Sequence, residues 1–412
     1  MPEALLSPCS STVASASGNP FDLVCTCCTA KPGPEQAERI AGWQFADFDW
    51  QEFFRIAEHH GVLALTARNL LDHAIPLPAE IRRSLEAAYA ANFRRGLWFA
   101  AELMRATRHL AQKPIRVIPY KGPVLAQAAY GDLALRSFND LDLLIAPADF
   151  FLAKAALAEI GYSPSKPFTP AVERLWLHNG YECSFDGPAG KNLLEVQWAL
   201  LPAFYAVDSR DLAFEYLWER AGRISLGETG NSGSPAGDAQ VPCLSPEDSL
   251  LILSLHAAKH LWTRLIWIAD IAESLRAPSL DFKVVVTRVR EIGIARILGV
   301  SLSLANRLLG AELSPLARNL IERDSEIPRI VRDCEERLLC CGSYDFNCTG
   351  YFKQVRRLRE RGGDRLRYLW RLAGTLGEGD IDAIRLPEIA FPLYRGVRLM
   401  RLARRFVHIQ FL

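Results

Sequence analysis

The chain has 412 residues, half of them hydrophobic and 23% charged, a composition typical of a folded globular protein with two or three domains. Its 48 basic and 47 acidic residues leave a formal net charge of +1, which argues against a general nucleic-acid-binding protein. The most apolar run, SLLILSL at 249–255, is too short to span a membrane. The N-terminus also lacks the basic and apolar regions of a signal peptide, so we expect a cytoplasmic protein.

Seven of the ten cysteines fall in two clusters, at 25–28 and 334–348. Neither cluster has the paired C-x-x-C spacing of a zinc ribbon. Because cysteines of cytoplasmic proteins usually stay reduced, we predict free thiols that are buried or incidental.

The predicted elements begin with helices and continue with an α/β unit. Residues 1–36 are rich in Ser, Pro and Ala without periodicity, and are predicted to be disordered or variable. Helical apolar spacing follows over 37–113. The region 114–243 contains the predicted strands RVIPY, DLDLLIA, YECSFD and LLEVQWAL. The Gly/Ser-rich stretch 226–242 is predicted to be a loop, most simply the tip of a hairpin.

The rest of the chain is predicted to be helical. The motif SPED at 245–248 is a typical helix start, and 244–350 is expected to form a helical domain. The segment 351–412 has 14 Lys and Arg against 6 Asp and Glu, so it is basic while the preceding part is acidic. Its amphipathic cationic helices either pack on the domain with a solvated face, or make a weak contact with an anionic membrane surface or an acidic partner.

Two aspartates stand at the entrance of the apolar strand DLDLLIA. Side chains alternate along a strand, so Asp140 and Asp142 point to the same side. Two carboxylates one pleat apart repel each other, and a divalent cation such as Mg²⁺ or Mn²⁺ relieves that repulsion. Glu195, on another predicted strand, could complete a two-metal site for phosphoryl chemistry. The D-x-D pattern alone is not specific, because it also occurs by chance and in metal-dependent glycosyltransferases.

A basic residue and a glycine precede the aspartates at a strand–helix junction. Lys121 and Gly122 are placed where a helix N-terminus and an ammonium group could bind phosphate. Arg136 could contact a triphosphate as well. The alternatives are a surface charge for Lys121, and for Arg136 a salt bridge to Asp132 or Asp140.

Two histidines share one face of a predicted helix. His256 and His260 are four residues apart, with Lys259 between them and Asp270 further along the chain. The histidines could hydrogen-bond Asp270 within the core, line a cleft, or bind zinc. The metalloprotease pattern H-E-x-x-H is absent, because Ala257 follows His256.

Together these motifs resemble the uncharacterised nucleotidyltransferase family of the polymerase-β-like nucleotidyltransferase superfamily. The resemblance extends over about 48–394. It includes K-G, Y-G-D, a single Arg, D-L-D-L-L-I, the segment EVQW, and the segment HAAKHLWTRLIWIADIAESL. In EVQW, Gln197 stands where the family usually has a histidine.

The resemblance implies an α+β fold with a polymerase-β-like core, which is a small mixed sheet flanked by helices, between helical N- and C-terminal regions. It further implies transfer of a nucleotidyl group from an NTP such as ATP to an unknown acceptor. Asp140, Asp142 and Glu195 would hold two Mg²⁺ or Mn²⁺ ions, and Lys121, Gly122 and Arg136 would bind the phosphates. His256, Lys259, His260 and Asp270 would belong to the cleft. The alternatives are a catalytically inactive nucleotide- or partner-binding protein with the same fold, and a metal-dependent glycosyltransferase.

Overall fold

The computed structural model describes residues 18–73, 75–207, 209–226, 240–342 and 348–407, with side chains up to residue 404. Nineteen α-helices occur in this part of the chain, besides short 3₁₀ and π-helical turns: α1 Pro20–Thr26, α2 Pro34–Ala41, α3 Trp50–His59, α4 Leu63–Asp72, α5 Ala79–Ala111, α6 Gly122–Leu125, α7 Phe150–Glu159, α8 Pro170–Asn179, α9 Phe214–Arg220, α10 Pro246–Lys259, α11 Leu265–Ser274, α12 Phe282–Ile292, α13 Ala295–Leu309, α14 Pro315–Glu322, α15 Ile327–Leu339, α16 Thr349–Leu358, α17 Gly362–Gly374, α18 Glu378–Ala383 and α19 Tyr394–Val407. The strands are β1 Val117–Pro119, β2 Leu141–Ile145, β3 Ser163–Pro164, β4 Glu182–Gly187, β5 Gly190–Gln197, β6 Gly222–Ser225 and β7 Gln240–Cys243.

The first five strands form one mixed sheet in the order β1-β2-β5-β4-β3. Strands β2 and β5 are parallel, and the other neighbouring pairs are antiparallel. All five residues of β2 are buried, as expected of a central strand whose apolar residues leave neither face to solvent. The α+β class and the small mixed sheet are therefore confirmed, while the closer match to a polymerase-β-like core stays a prediction.

Strands β6 and β7 pair antiparallel as a separate hairpin, in agreement with the predicted hairpin. The loop predicted over 226–242 is wrong for residues 240–242, which belong to β7, and residues 227–239 lie outside the described part.

Two large hydrophobic cores support these elements. One contains the sheet together with α7 and the second half of α5. The other is helical and joins α1, α3 and α4 to the helices from α10 to α17. The cleft described below lies where side chains from both regions meet.

The prediction of disorder over 1–36 is wrong for residues 18–36. Helix α1 begins with Pro20 after the N-cap Asn19, whose side chain accepts a hydrogen bond from the Phe21 amide. Leu23 and Val24 are fully buried in the helical core. Seven residues are too few to show a helical period, which explains why the pattern was not visible in the sequence. Residues 1–17 lie outside the described part.

The described cysteines are all free, as predicted. Cys25, Cys27 and Cys28 are buried, and burial raises the pKa of each thiol well above its ordinary value. Cys25 lies in α1, and Cys27 and Cys28 follow it directly. All three pack in the helical core as small apolar side chains. Among the helices of the described ranges, none combines the length and the apolar character that crossing a bilayer requires.

Candidate active site

Acidic side chains from two parallel strands meet at the centre of the sheet. Asp142 of β2 lies directly opposite Glu195 of β5, and Asp140 directly precedes β2. Glu182 at the start of β4 lies opposite Gln197 in the antiparallel β4–β5 pair. The four carboxylates line a cleft of about 1340 Å³.

Lys121 forms a buried ion pair with Asp142. The Nζ–Oδ1 distance is 2.7 Å, and the two side chains are only 9% and 1% exposed. Burial disfavours the ammonium form of Lys121, but Asp142 and Asp140 outweigh it, so that its pKa lies above the ordinary value. The chain places Lys121 there by turning at Gly122, which has φ +56°, a left-handed conformation that favours glycine.

Gln197 connects the carboxylates to one another. Its Nε2 lies 3.2 Å from Asp142 Oδ1, 3.1 Å from Glu195 Oε2 and 3.2 Å from Glu182 Oε2. The Tyr120 hydroxyl donates to Gln197 Oε1 at 2.5 Å and so fixes the orientation of the amide. An amide nitrogen has only two N–H groups, so three carboxylates share two donors.

Burial and mutual repulsion favour the neutral forms of several ionisable groups in this cluster. Burial and the neighbouring Asp142 and Glu182 carboxylates raise the pKa of Glu195 to about 8. Burial, followed by Asp142, also raises the pKa of Asp140. Lys259 lies in the same cleft, and burial lowers its pKa even though Glu182 opposes this effect. A cleft with several pKa shifts of this kind is typical of a functional site.

The donor set suits a hard divalent cation, which would offset the carboxylate repulsion that adds to burial in raising the pKa values of Asp140 and Glu195. The side-chain positions do not form a ready-made site, however. Within the described ranges, no three Asp, Glu, His or Cys side chains are gathered so as to hold a metal ion. Lys121 and Gln197 already contact Asp142, so binding a cation would require at least the Lys121 ammonium to move away.

Arg136 pairs with Asp270, not with Asp132 or Asp140. Its Nε and Nη2 lie 2.7 and 2.9 Å from the two oxygens of Asp270, and the Tyr130 hydroxyl donates to Oδ1 at 2.8 Å. Both partners of the ion pair are buried, although Arg136 also lines the cleft. Asp270 and Gly122 are not among the residues that line it.

His256 and His260 line the cleft, with ring centroids 4.8 Å apart. His260 stacks on Trp267 at 4.7 Å and 27°, and His256 meets the same indole edge-on. Burial lowers the pKa of both histidines well below the usual value, so both rings are neutral at pH 7. The Asp270 carboxylate accepts hydrogen bonds from Arg136 and Tyr130.

Sequence reasoning missed several cleft residues. Glu182 is the first residue of β4, and only the pairing of β4 with β5 reveals that it faces Gln197. Tyr181 was also missed; its ring centroid lies 5.0 Å from the Nζ of the predicted cleft residue Lys259, and it forms part of the same wall. The C-terminal segment also contributes, through Arg398, Arg401 and residues 375–379. The pattern of one strand carries no information about which strand becomes its neighbour.

The chain matches the family described as uncharacterised nucleotidyltransferase over residues 46–310, which is more than half of its length. It therefore belongs to that family, as the sequence motifs predicted. A search of curated proteins returned no match, and a search of solved structures returned none either.

Proposed function

We propose that the protein transfers a nucleotidyl group from an NTP to an acceptor, in a metal-dependent reaction on a polymerase-β-like core. Family membership supports transferase chemistry at the general level. The observation that carries the proposal is the pairing of Asp142 with Glu195 on adjacent parallel strands, beside Asp140 and a buried lysine in a large cleft.

The side chains divide into two groups in this proposal. Asp140, Asp142 and Glu195 would hold Mg²⁺ or Mn²⁺, which when bound stabilises the charge that develops on the attacking and leaving oxygens. Lys121, released from Asp142, would contact the phosphates of the NTP. In this proposal Glu195 would also accept a proton from the acceptor, acting in its ionised form, which a bound cation favours.

The size of the cleft supports two substrates. Sites for one small ligand usually have a volume of about 300–1000 Å³, whereas this cleft has about 1340 Å³. Its wall also includes the neutral His260 ring stacked on Trp267, a surface on which a nucleobase could stack.

The test combines a transfer assay with a binding assay. The purified protein is incubated with Mg²⁺ or Mn²⁺ and each α-³²P-labelled NTP, with cell extract as the source of acceptors. Asp142→Asn and Glu195→Gln should reduce the transferred label by at least 100-fold, and Asp149→Asn, beyond the other end of β2, should leave it unchanged. Equal labelling by parent, Asp142→Asn and Glu195→Gln would contradict the proposal. Melting temperatures would show which variants fold.

A catalytically inactive binding protein is the second candidate, because one observation favours it. Lys121 and Gln197 already satisfy Asp142 within the chain, as expected of a cluster that has no need of a cation. In that case Mn²⁺ titrated calorimetrically without nucleotide should give no binding heat. ATP should then bind equally well with and without the metal.

A further inference from the structure

We propose that the C-terminal helices α17 and α19 dock on a membrane surface that carries anionic lipid headgroups. This inference does not depend on the proposed function. It rests on an exposed apolar stripe of α17 and the arginines beside it, on further exposed apolar side chains of α19 and the turn before it, and on the charge of the segment.

The apolar stripe lies on α17. Leu366, Leu369 and Trp370 are 70%, 44% and 80% exposed, and their spacing of three and four residues places them on one face. The opposite face is buried against the protein through Tyr368 and Leu372. The Tyr368 hydroxyl also donates to the Phe352 carbonyl at 3.1 Å. The helix is therefore held in place by one face and presents a second apolar face to solvent.

Further exposed apolar side chains lie on α19, where Leu399 and Met400 are 54% and 59% exposed. The 3₁₀ turn before α19 adds Ile389 and Leu393, which are 93% and 63% exposed. Half of the sixteen large hydrophobic side chains exposed in the described part of the chain lie between residues 366 and 400. Scattered exposed leucines need no explanation, but this concentration in 35 residues does.

The charge of the segment favours an anionic membrane surface as the binding partner. Arg365 and Arg367 are exposed and lie on the two sides of the Leu366 stripe, and the segment 351–412 has 14 basic against 6 acidic residues. Because the segment is basic, a second copy that packed this face on its own counterpart would bring like charges together. A helix face with Trp and Leu between arginines is the pattern of helices that lie in the interface of anionic bilayers.

Vesicle flotation with the full-length protein tests this inference. We expect binding to vesicles with 30% phosphatidylglycerol in phosphatidylcholine, at least ten-fold weaker binding to phosphatidylcholine alone, and a marked loss in 0.5 M NaCl. Leu366→Ser/Trp370→Ser should reduce binding at least ten-fold. The matched control Leu316→Ser/Leu339→Ser changes two exposed leucines outside this segment and should bind like the parent.

A charge variant, Arg365→Glu/Arg367→Glu, separates the two contributions and should lose the preference for anionic vesicles. Melting temperatures close to that of the parent would show that the variants are folded. Absence of vesicle binding, or binding that Leu366→Ser/Trp370→Ser leaves intact, would overturn the proposal. A concentration-dependent dimer that the same variant abolishes, without vesicle binding, would assign this face to a second copy and would overturn it as well.

Discussion

A single neutral amide separates three carboxylates in the cleft. Gln197 is 2% exposed, and its nitrogen lies within hydrogen-bond distance of Asp142, Glu182 and Glu195. Removal of a donor from buried charged acceptors costs more than removal from neutral ones, because the acceptors keep their desolvation penalty. Gln197 is therefore the residue on which the acidic cluster depends most, whatever chemistry the cluster performs.

Gln197→Glu should destabilise the protein by about 3 kcal/mol at pH 8.5, because it removes the donors and adds a carboxylate to the cluster. The loss should be smaller at pH 5.5, where protonated carboxyls can donate to their neighbours. Urea unfolding at both pH values measures it. Gln51→Glu makes the same change at an exposed position of α3 and serves as the control. A Gln197→Glu protein as stable as the parent at pH 8.5 would show that the amide does not hold the cluster together.

His60 is a buried histidine whose contacts determine which ring nitrogen carries the proton. The Leu265 amide donates to its Nδ1 at 3.4 Å, and its Nε2 lies 3.1 Å from the Leu338 carbonyl, so the neutral ring with a proton on Nε2 satisfies both contacts. Burial lowers its pKa to about 4, from an ordinary value near 6.5. Between these values the unfolded chain binds the proton and the folded chain does not.

The neutral His60 ring should therefore stabilise the fold fully above pH 6.5, and this contribution should be lost as the pH falls towards 4. A shift of this size corresponds to about 3 kcal/mol at most. The free energy of unfolding of the parent minus that of His60→Gln should fall over this range, since glutamine does not titrate. His178→Gln makes the same change at an exposed position and serves as the control. A flat curve for His60→Gln would mean that His60 titrates normally.

At the scale of elements, helix α5 positions the loop that leads into β2. Asn92 donates to the Ala134 carbonyl at 2.6 Å, and Arg95 donates to the Phe138 carbonyl at 3.0 Å. On the same helix, a Cβ added to Gly96 would lie only 2.8 Å from the Leu133 carbonyl oxygen, which belongs to this loop. The absence of a side chain at Gly96 allows the helix to approach this loop closely, and the loop in turn places Asp140.

Gly96→Ala should destabilise the protein by about 1–3 kcal/mol, because the new methyl group contacts backbone that cannot move without displacing the loop. In an ordinary helix interior the same change stabilises by about 1 kcal/mol. Gly363→Ala in α17, where nothing lies within 4 Å of the added methyl, is the matched control and should be neutral or stabilising. Urea unfolding compares the two. A stabilised Gly96→Ala would show that α5 and the loop can separate at little cost.

The sequence predicted those parts of the site that depend on neighbouring residues along the chain. Local spacing was sufficient to predict the strand that carries Asp142, the strand–helix junction at Lys121 and Gly122, and the shared face of His256 and His260. The carboxylate of Glu182, the contact of Gln197 with three acids and the pairing of Arg136 with Asp270 depend on which elements become neighbours. Local periodicity does not contain that information, because β2 pairs with a strand about 50 residues later in the chain.

At the scale of the whole molecule, one buried ion pair ties the sheet region to the helical core. Arg136 lies on the loop before β2, and Asp270 lies on α11, which is packed among the helices of the second core. Tyr130 completes the connection through its hydrogen bond to Asp270. The cleft has walls from both regions, so its shape depends on this junction.

Arg136→Met should cost about 3–5 kcal/mol, because it leaves the Asp270 carboxylate buried without its cation. The double variant Arg136→Met/Asp270→Leu should recover most of that loss, since two apolar side chains can replace a buried ion pair. Urea unfolding of both single variants and the double variant gives the coupling between the two residues. Additive losses with no recovery would show that the pair does not hold the regions together.

The same double variant separates the structural contribution of Arg136 from its predicted phosphate contact. If Arg136 also binds the nucleotide, a double variant as stable as the parent should still bind ATP about ten-fold more weakly, the effect of losing about 1.4 kcal/mol of contact energy. Calorimetric titration with ATP in the presence of Mg²⁺ measures this. An ATP affinity equal to that of the parent would assign Arg136 to the junction alone and leave Lys121 as the cation for the phosphates.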